Sequence, residues 1–314
     1  MDTNLRAGVI GTGTMGINHS RIYFESSKYE LIGIADLNYD RATMIAQDYA
    51  CKAFHDYEAL LRENLDVISI VVPTILHKEV ALSAIDCGSN ILVEKPISDT
   101  VQNADEIIKA AHTKGVQVLV GHIERFNPAI IKLKELIDNN LLGDIISISA
   151  KRVGPFNPRI RDVGIILDLG THDIDILSYL SGKKVKAIYA VAGSTFHTHE
   201  DHAIMTLTFE DGSNGVIETN WLAPHKIRTL TVVGSNGIAE ANYVDSTLRL
   251  FDKEWIRDAK IDKQEPLKLE IEHFAECILN NEEPLITGED GKTVLEIALK
   301  AIESAQTGKV CPLL

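Results

Sequence analysis

Apolar residues gather in short runs along the first part of the chain, at residues 7–10, 31–35, 67–72, 91–93 and 116–120. These runs are rich in Val and Ile and show no strict alternation, as expected of strands buried on both faces. Between them lie stretches whose apolar positions return every three or four residues, starting near Met15 and covering 42–49, 78–87 and 101–114. That spacing puts one apolar face on a helix. Strands alternating with helices predict a parallel, doubly wound sheet of the α/β class.

Beyond Gly121 the pattern changes. A helix over 128–139 and a strand over 145–151 are followed by period-two segments at 185–192, 203–210, 215–221, 228–233, 238–241 and 247–251, with no helices between them. Asp211-Gly212 and Asn236-Gly237 supply turn residues, so this half predicts an open, mainly antiparallel sheet in an α+β domain. The boundary is placed at residue 122, giving domains 1–122 and 123–314. Two amphipathic helices, 267–279 and 291–305, are expected to cover a sheet edge or the domain seam.

A chain of 314 residues exceeds what one hydrophobic core usually serves, which agrees with two domains. The net charge of -14 argues against nucleic acid or an anionic membrane surface as a partner. Cys51, Cys87, Cys277 and Cys311 form no C-x-x-C pair, so reduced thiols in a cytoplasmic protein are expected. The polar start runs straight into a strand, which predicts no signal peptide, and no apolar run reaches membrane-spanning length.

Gly11-Thr12-Gly13-Thr14-Met15-Gly16 is a G-x-G-x-x-G sequence that follows a strand and opens a helix, and Asp36 stands at the end of the next strand. This order is the dinucleotide fingerprint of a Rossmann domain: glycines for the turn and for pyrophosphate approach, an acid for the ribose. Asp36 repels a 2′-phosphate, which favours NAD over NADP. Arg41, in the following helix, could soften that preference but reads as a solvated residue. Pro73, Thr74 and His77 follow the fourth strand, where the chain crosses the cofactor; for His77 a helix-start role outweighs a catalytic one.

Glu94-Lys95-Pro96 places an acid and a lysine at a strand end, where open parallel sheets present reactive groups. Together with the glycine fingerprint, the Asp168-Leu169-Gly170-Thr171-His172 segment with Asp175 beyond it, and Thr287-Gly288-Glu289-Asp290-Gly291 leading to Ser304-Ala305, it resembles the Gfo/Idh/MocA family of glucose–fructose oxidoreductases and inositol dehydrogenases. Oxidising a secondary alcohol needs a hydride acceptor and a base for the hydroxyl proton. Asp168 and His172 lie one helical turn apart and would share a face. The resemblance implies that His172 is the general base, that Lys95 hydrogen-bonds the reacting hydroxyl, and that Asp168 orients the substrate. It also implies that Glu94 and Lys95 border the cofactor. Whether His172 or Lys95 finally carries the proton is left open.

In this acidic chain Arg125, Lys151, Arg152, Arg159 and Arg161 concentrate near the presumed cleft, with Asn127 and Phe156 among them. Arginine forks suit phosphate oxygens, so these segments point to a nucleotide-diphosphate sugar. They look like the branch that oxidises the C3 hydroxyl of UDP-N-acetylglucosamine to a 3-keto sugar for a later aminotransferase. The rival branch acts on the corresponding uronate, and free sugars or inositol would need fewer cations. An NAD-binding regulator without catalysis is the non-enzyme alternative, opposed by the presence of Lys95, Asp168 and His172. His197, His199 and His202 have ligand-like spacing but are expected in a surface loop, with no metal, and Trp221 is expected in the core or an interface. The resemblance further implies a homodimer or homotetramer.

Overall fold

A computed structural model describes residues 4–156 and 163–313. The chain divides into two compact units: the residues up to Ile123 together with Glu265–Thr293, and Glu124–Gln264 together with the residues from Val294.

The first unit carries the expected parallel sheet. Its strands are β1 (Leu5–Ile10), β2 (Tyr29–Ala35), β3 (Lys52–Phe54), β4 (Val67–Ile70), β5 (Asn90–Glu94) and β6 (Val118–Gly121), in the spatial order β3-β2-β1-β4-β5-β6. All neighbours are parallel. Every residue of β4 is buried, which is why the run shows no alternation. The connecting helices are α1 (Thr14–Glu25), α2 (Tyr39–Asp48), α3 (Tyr57–Leu61), α4 (His77–Asp86) and α5 (Val101–Lys114). Strand order reverses between β1 and β4, so the loops at their carboxyl ends part there and leave a crevice for a ligand.

A division at residue 122 leaves the whole C-terminal region in the second domain, whereas residues 265–293 pack in the first unit. Helix α8 (Pro266–Asn280) buries Leu267, Ile271, Phe274 and Ala275. Tyr29 at the start of β2 donates its hydroxyl to the Ile271 carbonyl at 2.6 Å, and Lys28 reaches Glu276 at 2.6 Å. The periodicity of α8 defines an apolar face but not the sheet that covers it.

In the second unit, α6 (Pro128–Asp138) precedes β7 (Ile145–Pro155) and α7 (Thr171–Ser181) follows it. The further strands are β8 (Val185–Gly193), β9 (His202–Phe209), β10 (Asn214–Asn220), β11 (Leu222–Gly234), β12 (Ile238–Asn242), β13 (Thr247–Phe251) and β14 (Ile256–Asp258). Helix α9 (Gly288–Thr307) and β15 (Cys311–Pro312) follow α8. Among the described residues these strands order as β14-β13-β12-β11-β7-β10-β9-β8-β15. The sheet is mainly antiparallel, but β7 and β10 pair in parallel, from Asn214 opposite Ser147 to Asn220 opposite Val153. Turn residues identify strands that follow one another, and these two do not. Ile148, Ala150, Ile174, Leu177, Met205, Leu207, Ile217, Leu230 and Val232 form the core, each large aliphatic residue contributing about 1.5–3 kcal/mol. Among the described residues no helix is long and apolar enough to cross a membrane.

Candidate active site

The glycine turn follows from steric limits in the first unit. Gly11 has φ +98, and a Cβ there would lie 2.4 Å from the Val71 carbonyl oxygen. A Cβ on Gly16 would lie 1.9 Å from the Gly11 oxygen, so α1 can close onto the turn only through a glycine. Gly13 differs from both. Its φ of -67 and ψ of -170 suit any residue, and a Cβ there would meet nothing within 4 Å. The fold itself does not require glycine at this position; a dinucleotide phosphate approaching the backbone at the N-terminus of α1 does. Thr14 and Met15 form the first turn of that helix, which contains no acidic side chain.

Asp36 ends its strand as an acceptor for four donors. Oδ2 receives the Thr12 N–H at 2.7 Å, the Thr12 hydroxyl at 2.6 Å and Arg41 Nη2 at 2.8 Å, while Oδ1 receives the Asn38 N–H at 2.8 Å. Burial opposes its charge, but the Thr12, Asn38 and Arg41 bonds outweigh it and hold the carboxyl below its ordinary range. Arg41, expected to be solvated, folds back onto Asp36 and donates from Nε to the Thr12 hydroxyl at 2.9 Å. It is 47% exposed, so it is the donor a ribose hydroxyl can most readily replace. The open glycine, the helix N-terminus and the ionised acid together fit NAD.

Pro73 precedes the 3-10 turn Thr74–Leu76 at the end of β4, exposed itself and followed by a half-buried Thr74. His77 departs from the expectation of a cofactor contact. It is 1% exposed, with Nδ1 2.9 Å from the Pro96 carbonyl oxygen and Nε2 2.9 Å from that of Val72. Burial holds the ring below its ordinary pKa despite these carbonyls. His77 therefore braces the loops after β4 and β5 instead of facing a ligand. Glu94 and the half-buried Lys95 stand at the carboxyl end of β5. The Glu94 side chain is 13% exposed and lies 3.2 Å from His19 Nε2.

In the second unit, Asp168 falls within a π-helical turn, Ile166–Gly170, that runs into α7, where the Thr171 N–H reaches back to the Ile166 carbonyl. Such bulges widen a helix locally and occur often at functional sites. An uninterrupted α-helical spacing misses this turn. Asp168 and His172 are both half-buried, and Asp173, Ile174 and Asp175 beyond them are buried.

The substrate arginines require correction. Arg125 is 5% exposed and grips Asp175, with Nη2 2.6 Å from Oδ1 and Nε 3.0 Å from the same oxygen; its guanidinium lies 4.7 Å from the Tyr179 ring centroid. Arg152 is 1% exposed, forks onto Asp173 at 2.9 and 3.0 Å, and reaches Glu124 at 2.7 Å. Burial opposes the Arg152 charge, but Asp173 and Glu124 raise its pKa above the ordinary value. Both guanidinium forks are thus committed to carboxylates. Asn127 is also structural: its Oδ1 caps α6 at the Ala129 N–H, 3.1 Å away, and Nδ2 donates to the Tyr243 carbonyl at 3.3 Å. Lys151 pairs with Glu218 across β7 and β10 at 3.0 Å. Arg159 and Arg161 lie outside the described residues.

Sequence reasoning missed Arg228 on β11, directly across from Arg152. Its side chain is 32% exposed and approaches Glu124 only to 3.6 Å. Burial and the neighbouring Arg152 lower its pKa, and Asp168 lies within reach of its field. Its pairing with Arg152 and the burial of that arginine are set by the fold, so the sequence held no signal for it. Phe156 stacks on His197 with centroids 3.7 Å apart and meets the Trp221 ring edge at 5.2 Å. His202 turns instead to Asp201, 2.8 Å away, so the histidine cluster is dispersed between a ring stack and a strand start.

Residues 5–122 match the model described as the oxidoreductase family, NAD-binding Rossmann fold, and residues 130–240 match the GFO/IDH/MocA C-terminal domain. The chain is similar to UDP-N-acetylglucosamine 3-dehydrogenase of Acidithiobacillus ferrooxidans, 30% identical over 95% of this chain and 96% of that protein. It is also similar to scyllo-inositol 2-dehydrogenase (NAD(+)) of Bacillus subtilis, 27% identical over 98% and 96%. The solved structure of the Acidithiobacillus enzyme superimposes with a TM-score of 0.91 at 29% identity, covering 97% of this chain and 99% of that one. Levoglucosan dehydrogenase in complex with NADH shares the fold, with a TM-score of 0.92 at 22% identity over 99% and 100%. The chain is a member of the Gfo/Idh/MocA family of NAD-binding oxidoreductases.

Proposed function

We propose that the protein oxidises the C3 hydroxyl of UDP-N-acetylglucosamine to the 3-keto sugar, with Lys95, His172 and Asp168 acting at the reacting alcohol. The carrying observation is a relative of that activity matching over 95% of the chain. Oxidation removes a hydride from the C3–H bond and a proton from the hydroxyl. Bound NAD supplies the hydride acceptor. His172, half-buried at the start of α7, takes the hydroxyl proton, and Lys95 donates a hydrogen bond to the oxygen as negative charge develops on it. Asp168, one turn before His172, orients the alcohol. The products are the 3-keto sugar, NADH and a proton, a ketone suited to a later aminotransferase.

An inositol is the alternative substrate, favoured by the commitment of Arg125 and Arg152 to Asp175 and Asp173 and by the inositol-oxidising relative. Among the arginines of the described residues in the second unit, Arg228 is one that no carboxylate fork holds, and a diphosphate would meet it together with Arg159 and Arg161. The enzyme would act in the cytoplasm as a homodimer or homotetramer. The face of β8, β9 and β10 that exposes Tyr189, Val191, Ile204 and Val216 suits such an assembly, which sedimentation would measure.

The test supplies purified protein with NAD and, separately, UDP-N-acetylglucosamine, its uronate, scyllo-inositol and myo-inositol, and follows reduced nicotinamide by absorbance. Turnover of the first alone is expected, with Lys95→Ala and His172→Ala each lowering kcat by a factor of about 100 or more. Preferred turnover of an inositol would remove the UDP-sugar assignment, and variants as active as the parent would remove the catalytic one.

A further inference from the structure

Behind the Glu94–Lys95 turn lies a polar chain that the proposed chemistry does not use. His19 and Tyr23 stand one turn apart on α1, Ser69 stands on β4, and all three are buried at 0% exposure. The Tyr23 hydroxyl is 2.8 Å from Ser69 Oγ, which is 2.9 Å from His19 Nδ1. His19 Nε2 is 3.2 Å from Glu94 Oε1, and the Lys95 N–H donates to Glu94 Oε2 at 3.3 Å. Polar groups inside a packed sheet are costly unless each donor finds an acceptor, so the direction of every bond can be worked out.

Burial opposes the Glu94 charge, but His19 and Lys95 outweigh it and hold the carboxyl below its ordinary range. Ionised, Glu94 only accepts, so His19 Nε2 must carry the ring proton. Nδ1 then offers a lone pair, which the Ser69 hydroxyl fills, and Ser69 Oγ accepts in turn from Tyr23, whose burial keeps the phenol protonated. In this arrangement each hydrogen is used once. Gly121, paired with Glu94 on β6, closes the other side: a Cβ there would lie 3.1 Å from Glu94 Oε2.

We infer that His19 is a positioning residue for Lys95. The chain from Tyr23 through Ser69 and His19 fixes one orientation of the Glu94 carboxylate, and that carboxylate fixes the start of the turn carrying the reactive lysine. This rests on Lys95 touching the reacting alcohol.

Two replacements at position 19 separate the bonds. His19→Gln puts an amide donor where Nε2 stands and keeps the Glu94 bond; His19→Asn reaches only Ser69. His19→Asn is expected to lower kcat about 30-fold and enlarge the primary deuterium isotope effect, while the sugar KM and the NAD Kd stay within about threefold. His19→Gln should restore kcat to within about fivefold of the parent. Equal losses in both variants, or kcat within about twofold in His19→Asn, would overturn the assignment. Tyr23→Phe, which removes one hydroxyl from the far end, keeps the idea testable if His19 variants fail to fold; a kcat loss of about threefold is expected, and an unchanged kcat and isotope effect would count against it.

A readout without turnover uses reductively methylated protein, with the Lys95 carbon resonance assigned by Lys95→Arg. The resonance should move in His19→Asn and return in His19→Gln. If it does so while no sugar or polyol is turned over, the proposed function fails and the positioning role stands. If turnover is normal and neither kcat nor the resonance responds, the positioning role fails and the function stands.

Discussion

The loop after β1 and the start of α7 both concern negative charge, but they are built from different materials. At the loop, space comes from Gly13 and the donors from the backbone at the N-terminus of α1, so the site is open before any ligand arrives. At α7 the charges belong to side chains that already face one another: Arg125 with Asp175, and Arg152 with Asp173 and Glu124. A backbone cradle offers open space beside a helix N-terminus, whereas a cluster of opposite charges spends its charges on its own cohesion. Abundant arginine therefore does not by itself mark an anion site.

The widest gap between the two regions should appear on removing a buried cation. Arg152→Met takes the guanidinium fork from Asp173 and leaves Glu124 with only the looser approach of Arg228, and the expected loss is about 3–5 kcal/mol of unfolding free energy, measured by denaturant titration. Adding Asp173→Leu should return part of it, because an apolar pair needs no compensation. If Arg152→Met left stability within about 1 kcal/mol and raised only the substrate KM, the arginine would be a ligand cation and the contrast would collapse.

The cradle should respond in the opposite way. Gly13→Ser places a good N-cap residue on a backbone that accepts it, with no neighbour within 4 Å of its Cβ. Stability without cofactor should hold or rise by a few tenths of a kcal/mol, while the NAD Kd rises by a factor of about 10 or more. Calorimetric titration with NAD measures the second quantity. Unchanged affinity would mean that the phosphates do not approach Gly13.

This contrast also explains what could be read in the chain. The parallel sheet was legible because strands buried on both faces lose their alternation, as β4 does. Gly11, Gly13, Gly16 and Asp36 could be named because a recurrent motif marks them, even though Gly11 closes on Val71 and Asp36 on Thr12, 24 positions away. The pairing of β7 with β10, the place of α8 and the committed arginines depend on contacts between distant residues. Arg125 and Asp175 stand 50 positions apart, and Arg152 and Asp173 stand 21 apart, so composition showed the cations without their partners. The π-helical turn at Ile166–Gly170 differs from an α-helix by the register of its backbone bonds, which residue spacing does not encode.

Arg228 gives the smallest effect and the finest division between the regions. It lies beside the committed Arg152 on the neighbouring strand, yet its 3.6 Å approach to Glu124 at 32% exposure is a screened contact. Arg228→Gln should therefore change unfolding free energy by no more than about 1 kcal/mol. If its guanidinium receives a diphosphate, the loss of a charge-assisted bond raises the KM for UDP-N-acetylglucosamine roughly tenfold and leaves kcat nearly unchanged. The same substitution should leave turnover of an uncharged polyol unaffected, so steady-state kinetics on the two substrates separates a ligand cation from a structural one. An unchanged KM for the UDP-sugar would place Arg228 with Arg125 and Arg152, as a charge the protein keeps for itself.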